Sequence, residues 1–328
     1  VKESILEYLK ENDDKYISGE YLSNIFNVSR AAIWKVMKRL EGEGYIIESK
    51  TKVGYKLISL PDTLHPYEIK SSLDTKRIGK TIHYFEEISS TNDYAKKLAQ
   101  NAFEDGEVII AGTQKSGRGR FSREWISPPN KGIYISLLLK PQISFENITQ
   151  LTLFTALAIC NALEEYVGIN LEIKWPNDIL LNSKKICGIL TEISGEVDKI
   201  NHVIIGFGIN VNFDKVDFDD TLKNKATSLK IETSKTQDRK KIIQHILTVF
   251  DKYYEDYLNG ENFENILKQY KSKMTIIEKN IVISIHNNTP ASGTVIDITN
   301  SGALKIKMSD GSVKEFLSGE ISLNPILD

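Results

Sequence analysis

Cysteine is scarce in this chain: Cys160 and Cys187 are the only two in 328 residues, and they have neither paired metal-site spacing nor a nearby histidine cluster. That excludes a disulfide framework and a structural zinc, and it leaves both thiols as small buried hydrophobes. Long apolar runs are missing too. No stretch reaches the roughly 18 residues that a membrane helix needs, and the N-terminal segment does not resemble a signal peptide. The expectation is a soluble, cytoplasmic protein with no membrane partner. Neither sign of charge dominates, since the net charge is −2; attraction for a polyanion has to come from a local patch. Internal repeats and low-complexity tracts are also absent. The length exceeds one ordinary core and predicts two or three domains.

What the chain does concentrate lies in residues 112–125, Gly-Thr-Gln-Lys-Ser-Gly-Arg-Gly-Arg-Phe-Ser-Arg-Glu-Trp. Gly117 and Gly119 leave the backbone free to take positive φ and turn its N–H groups toward an anion. Arg118, Arg120 and Arg123 add permanent positive charge that matches phosphate or carboxylate oxygens in bidentate pairs. Trp125 offers a face on which a base can stack. On spacing alone a solvated turn fits this loop equally well. The apolar runs 108–111 and 132–139 on either side read as buried strands, and a loop held between two core strands is a rigid mount for chemistry.

Residues 1–60 read as three helices and a two-stranded wing. Ser18 and Ser29 stand where helix caps are expected. In the third helix Ile33, Val36, Met37 and Leu40 mark the inward face, and Arg30, Ala31, Lys35, Lys38 and Arg39 point outward. Trp34 lies beside that outward face, with its direction open. From residue 30 to 56 there are seven basic and three acidic residues, a local charge of +4. Lys50 and Lys52 sit at the tip of the predicted hairpin. This order of parts resembles a winged helix-turn-helix, whose second helix enters the major groove; a small helical interaction domain is the bland alternative.

Residues 61–66, with Pro61 and Pro66, read as a linker that disfavours a helix. Beyond it, a strand over 81–88 leads into Ser90-Thr91-Asn92 and a helix. These three are first of all capping groups, able also to bond a small polar ligand. A long apolar helix is predicted over 148–167. A strand then leads to Lys174-Trp175-Pro176-Asn177-Asp178, where Pro176 stiffens the bend and Asp178 by itself is a turn-former. A turn at 182–185 and a strand over 186–193 follow. Hairpins of this kind predict antiparallel or mixed sheet. Gly206 and Gly208 mark a close backbone approach in a strand over 202–212. Residues 213–236 read as a mobile loop with a short turn near 226–229, and 238–270 as one helix with Ile242, Ile246, Val249, Phe250, Tyr253, Tyr257 and Leu258 on its apolar side. From residue 275 to 323, turns at Asn287-Asn288, Ser301-Gly302 and Asp310-Gly311 split short strands, as in an SH3-like barrel.

Four motifs together resemble one family: Ser90-Thr91-Asn92 before a helix; Gly117-Arg118-Gly119-Arg120 with Arg123 and Trp125; Lys174-Trp175-Pro176-Asn177-Asp178 with Lys185 and Gly188; and Gly206-Phe207-Gly208-Ile209-Asn210. In this order they look like the biotin protein ligases. The winged helix makes the chain similar to the bifunctional type that also represses transcription. The resemblance covers nearly the whole chain. It implies an α+β fold of three domains: a winged helix-turn-helix over 1–60, a catalytic biotin/lipoate ligase-like mixed sheet with helices over 67–273, and an SH3-like barrel over 275–328.

The chemistry that the resemblance implies has two steps. Biotin and ATP, with Mg2+, give biotinyl-5'-AMP and pyrophosphate; a lysine of a biotin carboxyl carrier protein then takes the biotinyl group. By resemblance, Ser90, Thr91, Asn92, Gln114, Gly117, Arg118, Gly119, Arg120, Lys185, Gly188 and Gly206 bind biotin. Arg120, Arg123, Trp125, Asn177 and Asn210 belong to the ATP side. Arg118, Arg120 and Lys185 are catalytic through their charge, and Asp178 orients or deprotonates the acceptor lysine. The metal ligands are not specified. Operator DNA is the expected partner of Arg30, Ala31, Lys35, Lys38, Lys50 and Lys52, through a homodimer formed when the adenylate is bound. Two other readings fit parts of the pattern: a lipoate protein ligase, and a ligand-sensing transcription factor without catalysis.

Overall fold

The computed structural model describes residues 1–59, 62–196, 199–260, 263–284 and 290–323, and the chain divides into two compact units, Val1–Glu68 and Ile69–Asp328. In the first, α1 (Lys2–Glu11), α2 (Gly19–Ile25) and α3 (Arg30–Gly42) precede a hairpin of β1 (Ile46–Lys50) and β2 (Gly54–Ser59). Both expected caps form: Ser18 Oγ accepts the Tyr21 amide at 3.0 Å and Ser29 Oγ accepts the Ala32 amide at 3.1 Å. Each satisfies a donor that the first helical turn leaves open. Ile5, Leu9, Leu22, Ile33, Met37 and Leu40 close one core, with Val36 half-buried at its edge. Trp34 points out and is 54% exposed.

The short helix α4 (Pro66–Lys70) starts at the second proline of the expected linker, which disfavours a helix running through it and not one that begins there. Proline lacks only an N–H that the first turn does not use, so this position tolerates it. Pro61 lies outside the described residues.

The second unit is built on a seven-stranded mixed sheet. Its strands are β3 (Ile82–Ile88), β4 (Glu107–Gln114), β5 (Gly132–Leu139), β6 (Glu172–Lys174), β7 (Asp178–Leu181), β8 (Lys184–Glu196) and β9 (Lys199–Asn210), in the order β3-β4-β5-β9-β8-β7-β6. Only β3 and β4 run parallel. All eight residues of β5 are buried, so both faces of the sheet centre are covered. On one face, Ala95 of α5 (Thr91–Leu98) packs against Ile109, Leu138 and Ile204. On the other lies α6 (Ile148–Val167): Thr152 and Thr191 share a 2.7 Å hydrogen bond, and Thr191 is paired with Ile205, whose side chain points away from that of Ile204.

Three stretches depart from the sequence-based expectation. The turn after β7 has only two residues, Asn182 and Ser183, with φ of 50° and 61°, so Lys184 and Lys185 already belong to β8. Two successive left-handed residues are what a tight hairpin requires. Residues 213–236 are not a loose loop: Phe213, Phe218 and Leu229 are buried, and α7 (Leu229–Thr233) is capped by Ser228. Those apolar residues anchor a wrapped segment and show no period. The single helix expected over 238–270 is two, α8 (Arg239–Leu258) and α9 (Phe263–Ser272), because α8 ends at Asn259 and Gly260 turns left-handed, with φ of 74°. The buried face of α8 also differs. Ile243, Leu247 and Tyr254 join Ile242, Ile246 and Phe250, while Val249, Tyr253, Tyr257 and Leu258 are half-buried.

The chain closes in a five-stranded antiparallel sheet of β10 (Asn280–Ser284), β11 (Ala291–Ile298), β12 (Leu304–Met308), β13 (Val313–Phe316) and β14 (Glu320–Leu323), ordered β13-β12-β11-β10-β14. Gly302 and Gly311 take positive φ at the two expected turns. The turn expected at Asn287-Asn288 lies outside the described residues.

Candidate active site

On the α5 face of the sheet, three glycines stand where side chains are expected. Gly188 of β8 and Gly208 of β9 are directly paired, and Gly206 lies two residues before Gly208 on the same face. The missing side chains let other groups reach the backbone. A Cβ on Gly206 would stand 2.1 Å from Asn92 Oδ1, and one on Gly208 would stand 2.2 Å from Trp125 Nε1. Asn92 and the Trp125 indole therefore lie directly on the strands.

A cavity of about 940 Å³ opens at this trough, large for a ligand cleft. Ser90, Thr91, Asn92, Gln114, Arg118, Gly119, Arg120, Arg123, Trp125, Asn177, Asp178, Lys185, Gly188, Gly206 and Asn210 all line it. Gly117 does not. It is buried behind the wall, where a Cβ would lie 2.6 Å from the Trp125 carbonyl oxygen.

Polar contacts fix the end of the cavity at the start of α5. Gln114 Oε1 accepts from the Thr91 backbone N–H at 2.9 Å and from its hydroxyl at 3.1 Å, and Gln114 Nε2 donates to Ser127 Oγ at 3.2 Å. Asn92 Nδ2 donates to Glu192 at 2.8 Å, and Asn92 Oδ1 accepts from the Ser136 hydroxyl at 2.5 Å. At the other end, Arg120 donates to Asn177 Oδ1 at 3.0 Å and to the Gly319 carbonyl at 3.2 Å. Arg123 pairs with Glu320 at 2.7 Å, Arg118 pairs with Asp93, and Lys185 Nζ stands 2.7 Å from Asp178 Oδ1 and 5.4 Å from the Trp125 ring centre. Burial pushes the Arg120 guanidinium below its ordinary pKa, and the Asp178 and Glu320 carboxylates pull it back up. Asp178 Oδ1 is buried and meets Lys185 as an ion pair without an aligned hydrogen bond, and the buried Trp125 Nε1 has no hydrogen-bond partner. Such atoms are costly unless something else meets them.

Comparison with known proteins adds the family. Residues 84–210 match the biotin/lipoate A/B protein ligase family, residues 1–56 an HTH domain, and residues 276–324 the biotin protein ligase C terminal domain. The bifunctional ligase/repressor BirA of Bacillus subtilis is 39% identical over 98% of this chain and 98% of its own length. The chain belongs to the bifunctional biotin ligase/repressor family. BirA of Escherichia coli is 26% identical over 94% of this chain and 93% of its own length. The Aquifex aeolicus biotin protein ligase, solved in complex with biotin and ATP, is 31% identical, covers 75% of this chain and 99% of its own, and superposes with a TM-score of 0.65.

Within this ligase two expectations about the arginine loop need correcting. Neither Gly117 nor Gly119 takes positive φ; the left-handed residues are Phe121 and Ser122, at 55° and 57°. The Gly119 N–H is also spent inside the loop, donating to the Arg123 carbonyl at 2.8 Å. Gly117 is required by close packing under Trp125, and no anion nest forms at these two residues. Two side chains escaped the sequence reading although they carried a signal. Ser136 is fully buried in an otherwise apolar strand, and Glu192 is an acid in another, each placed to hold Asn92. Gly319 and Glu320 carried none, because only the folded chain brings the C-terminal sheet to the cavity.

Proposed function

We propose that this biotin protein ligase joins biotin to ATP in the cavity over Gly188, Gly206 and Gly208, and then passes the biotinyl group to a lysine of a biotin carboxyl carrier protein. The convergence of Arg118, Arg120, Arg123 and Lys185 on one cavity beside Ser90 and Gly206 carries the reading. The first step brings a carboxylate against the α-phosphate. Two unit negative charges at about 4 Å repel by roughly 4 kcal/mol at an effective dielectric near 20. Fixed cations at that point cancel the repulsion and favour the transition state further, where negative charge accumulates.

In this reading the ureido ring of biotin meets Ser90, Thr91, Asn92 and Gln114 beside Gly206, with Gly117 and Gly188 allowing the close packing of Gln114, Trp125 and Lys185 and Gly119 lining the cavity. Its carboxylate meets Arg118 and Lys185. Arg120 and Arg123 take the ATP phosphates, Asn177 holds Arg120 in place, and Trp125 and Asn210 lie toward the adenine. Among the described residues no group of three or more His, Cys, Asp or Glu side chains could hold a metal ion. Mg2+ would enter with ATP, held mainly by its phosphates, and would offset their charge there. In the second step the carrier amine attacks the acyl carbonyl, AMP leaves, and Asp178, which faces Lys185 in the free site, orients the amine or accepts its proton.

Ligation occupies residues 67–273, completed by residues 275–328, and operator binding occupies residues 1–60. Arg30, Ala31, Lys35, Lys38, Lys50 and Lys52, all exposed, meet the DNA. The bound adenylate favours a homodimer that presents two winged helices to a two-fold operator. No described helix is long and apolar enough to cross a membrane, and the need for ATP fits work in the cytoplasm. The deciding experiment is a mass spectrum of a carrier domain after incubation with this protein, ATP and biotin. One biotinyl addition is expected, and an unmodified carrier overturns the reading.

A further inference from the structure

On α3 an aromatic side chain is left uncovered in cationic surroundings. Trp34 is 54% exposed although Ile33, Met37 and Leu40 of the same helix are buried to within 1%. Among the described residues it has no ring, hydrogen-bond or cationic partner. Its neighbours toward solvent are Ala31 one turn before it, Lys35 beside it and Lys38 one turn after it, all exposed. Arg30 and Lys38 are paired within the unit, to Glu20 and Glu41, and Lys35 has no carboxylate partner there. The outward strip of α3 is thus an apolar surface, a methyl and an indole, flanked by positive charge.

Resting on the operator-binding reading above, we propose that Ala31 and Trp34 determine sequence specificity by packing on thymine 5-methyl groups in the major groove. The chemistry is matched. The groove floor offers hydrogen-bonding edges, which an indole face does not read, and one apolar group, the thymine methyl. Lys35 and Lys38 meet phosphates, which set register and carry no sequence information. A neutral ring on this strip therefore supplies discrimination, and the lysines supply affinity.

The test uses the full-length protein with biotin and ATP, and a duplex selected with it from a random-sequence pool. Thymidines are replaced one at a time by deoxyuridine, which removes only the methyl group. Wild-type binding should weaken about fourfold at one or two positions in each half-site, the worth of roughly one buried methyl. Trp34→Ala should bind more weakly and lose that sensitivity, with its dependence on salt unchanged. Trp34→Phe should keep part of the sensitivity and also guards against a folding artefact. Lys35→Ala should weaken binding to all duplexes alike and flatten the salt slope by about one. If Trp34→Ala keeps the wild-type deoxyuridine pattern, or alters only self-association in sedimentation, the inference fails while operator binding stands. If the wild type selects no sequence, both fail.

Discussion

Gly206→Ala is the sharpest test of the biotin end of the cavity, because the added methyl group meets one identified side chain. The new Cβ would lie 2.1 Å from Asn92 Oδ1, 2.8 Å from its Cγ and 3.0 Å from its Nδ2. Asn92 cannot turn aside cheaply: it is 5% exposed, and its amide is held by Glu192 at 2.8 Å and by Ser136 at 2.5 Å. Overpacking of this kind costs about 1–3 kcal/mol. Breaking one buried hydrogen bond as Asn92 moves adds roughly 1–3 kcal/mol. If about half of the total falls on the biotin site, its affinity drops by roughly 10- to 100-fold. The assay is biotin-dependent pyrophosphate exchange at saturating ATP, with thermal melting to confirm folding. The KM for biotin should rise by that factor while the KM for ATP stays within about threefold. A folded variant whose biotin KM changes less than threefold would refute the placement of Asn92 against the ligand.

Gly208→Ala should strike the other substrate. Its Cβ would collide with the Trp125 indole at 2.2 Å, and losing a base–aromatic contact worth about 1–3 kcal/mol should raise the KM for ATP tenfold or more, with biotin binding by calorimetry nearly unchanged; an equal loss of both would contradict the division of the cavity. Asp178→Asn should slow transfer to the carrier by about 10²–10⁴ and pyrophosphate release far less, measured as separate half-reactions, and comparable losses in both steps would remove its assigned role. His202 predicts a pH effect: burial holds its pKa below the ordinary 6.5, so its contribution to stability is full above that value and is lost as pH falls through the lower folded value. The melting temperature should therefore fall on acidification from pH 7, and His202→Gln should reduce the slope in that window; an unchanged slope would count against it.

The sequence makes the parts of this site legible but not their partnerships. The arginine loop, the Ser90-Thr91-Asn92 cap and the glycines of β8 and β9 are local features, each constrained by its own neighbours in the chain, and they can be read one by one. The folded chain adds contacts across large separations: Glu192 lies 100 residues from Asn92, and Glu320 lies 197 from Arg123. No periodicity encodes such a pair. The same reason explains residues 213–236, where Phe213, Phe218 and Leu229 anchor a wrapped segment without the spacing of a helix or a strand. At 238–270 the reason is of another kind, since Asn259-Gly260 is a helix stop that the long apolar period on either side masks.

Those long-range pairings change what the arginine loop can do. Read alone, it is a cluster of free positive charge, and such a cluster would hold any anion. Arg118, Arg123 and Lys185 instead each face a carboxylate, Asp93, Glu320 and Asp178. These pairs are partly exposed, and exposed pairs are worth about 0–1 kcal/mol. A phosphate, with more charge and bidentate geometry, displaces them at little cost, whereas a weak monovalent anion gains little by doing so. Arg120 differs, because its partners are an amide oxygen and a backbone carbonyl and it is half-buried. Neither partner neutralises it. On the proposed function it would be the fixed charge around which the exchangeable ones rearrange, and that reading predicts selectivity for a polyphosphate over simple anions from the pairing rather than from the arginine count.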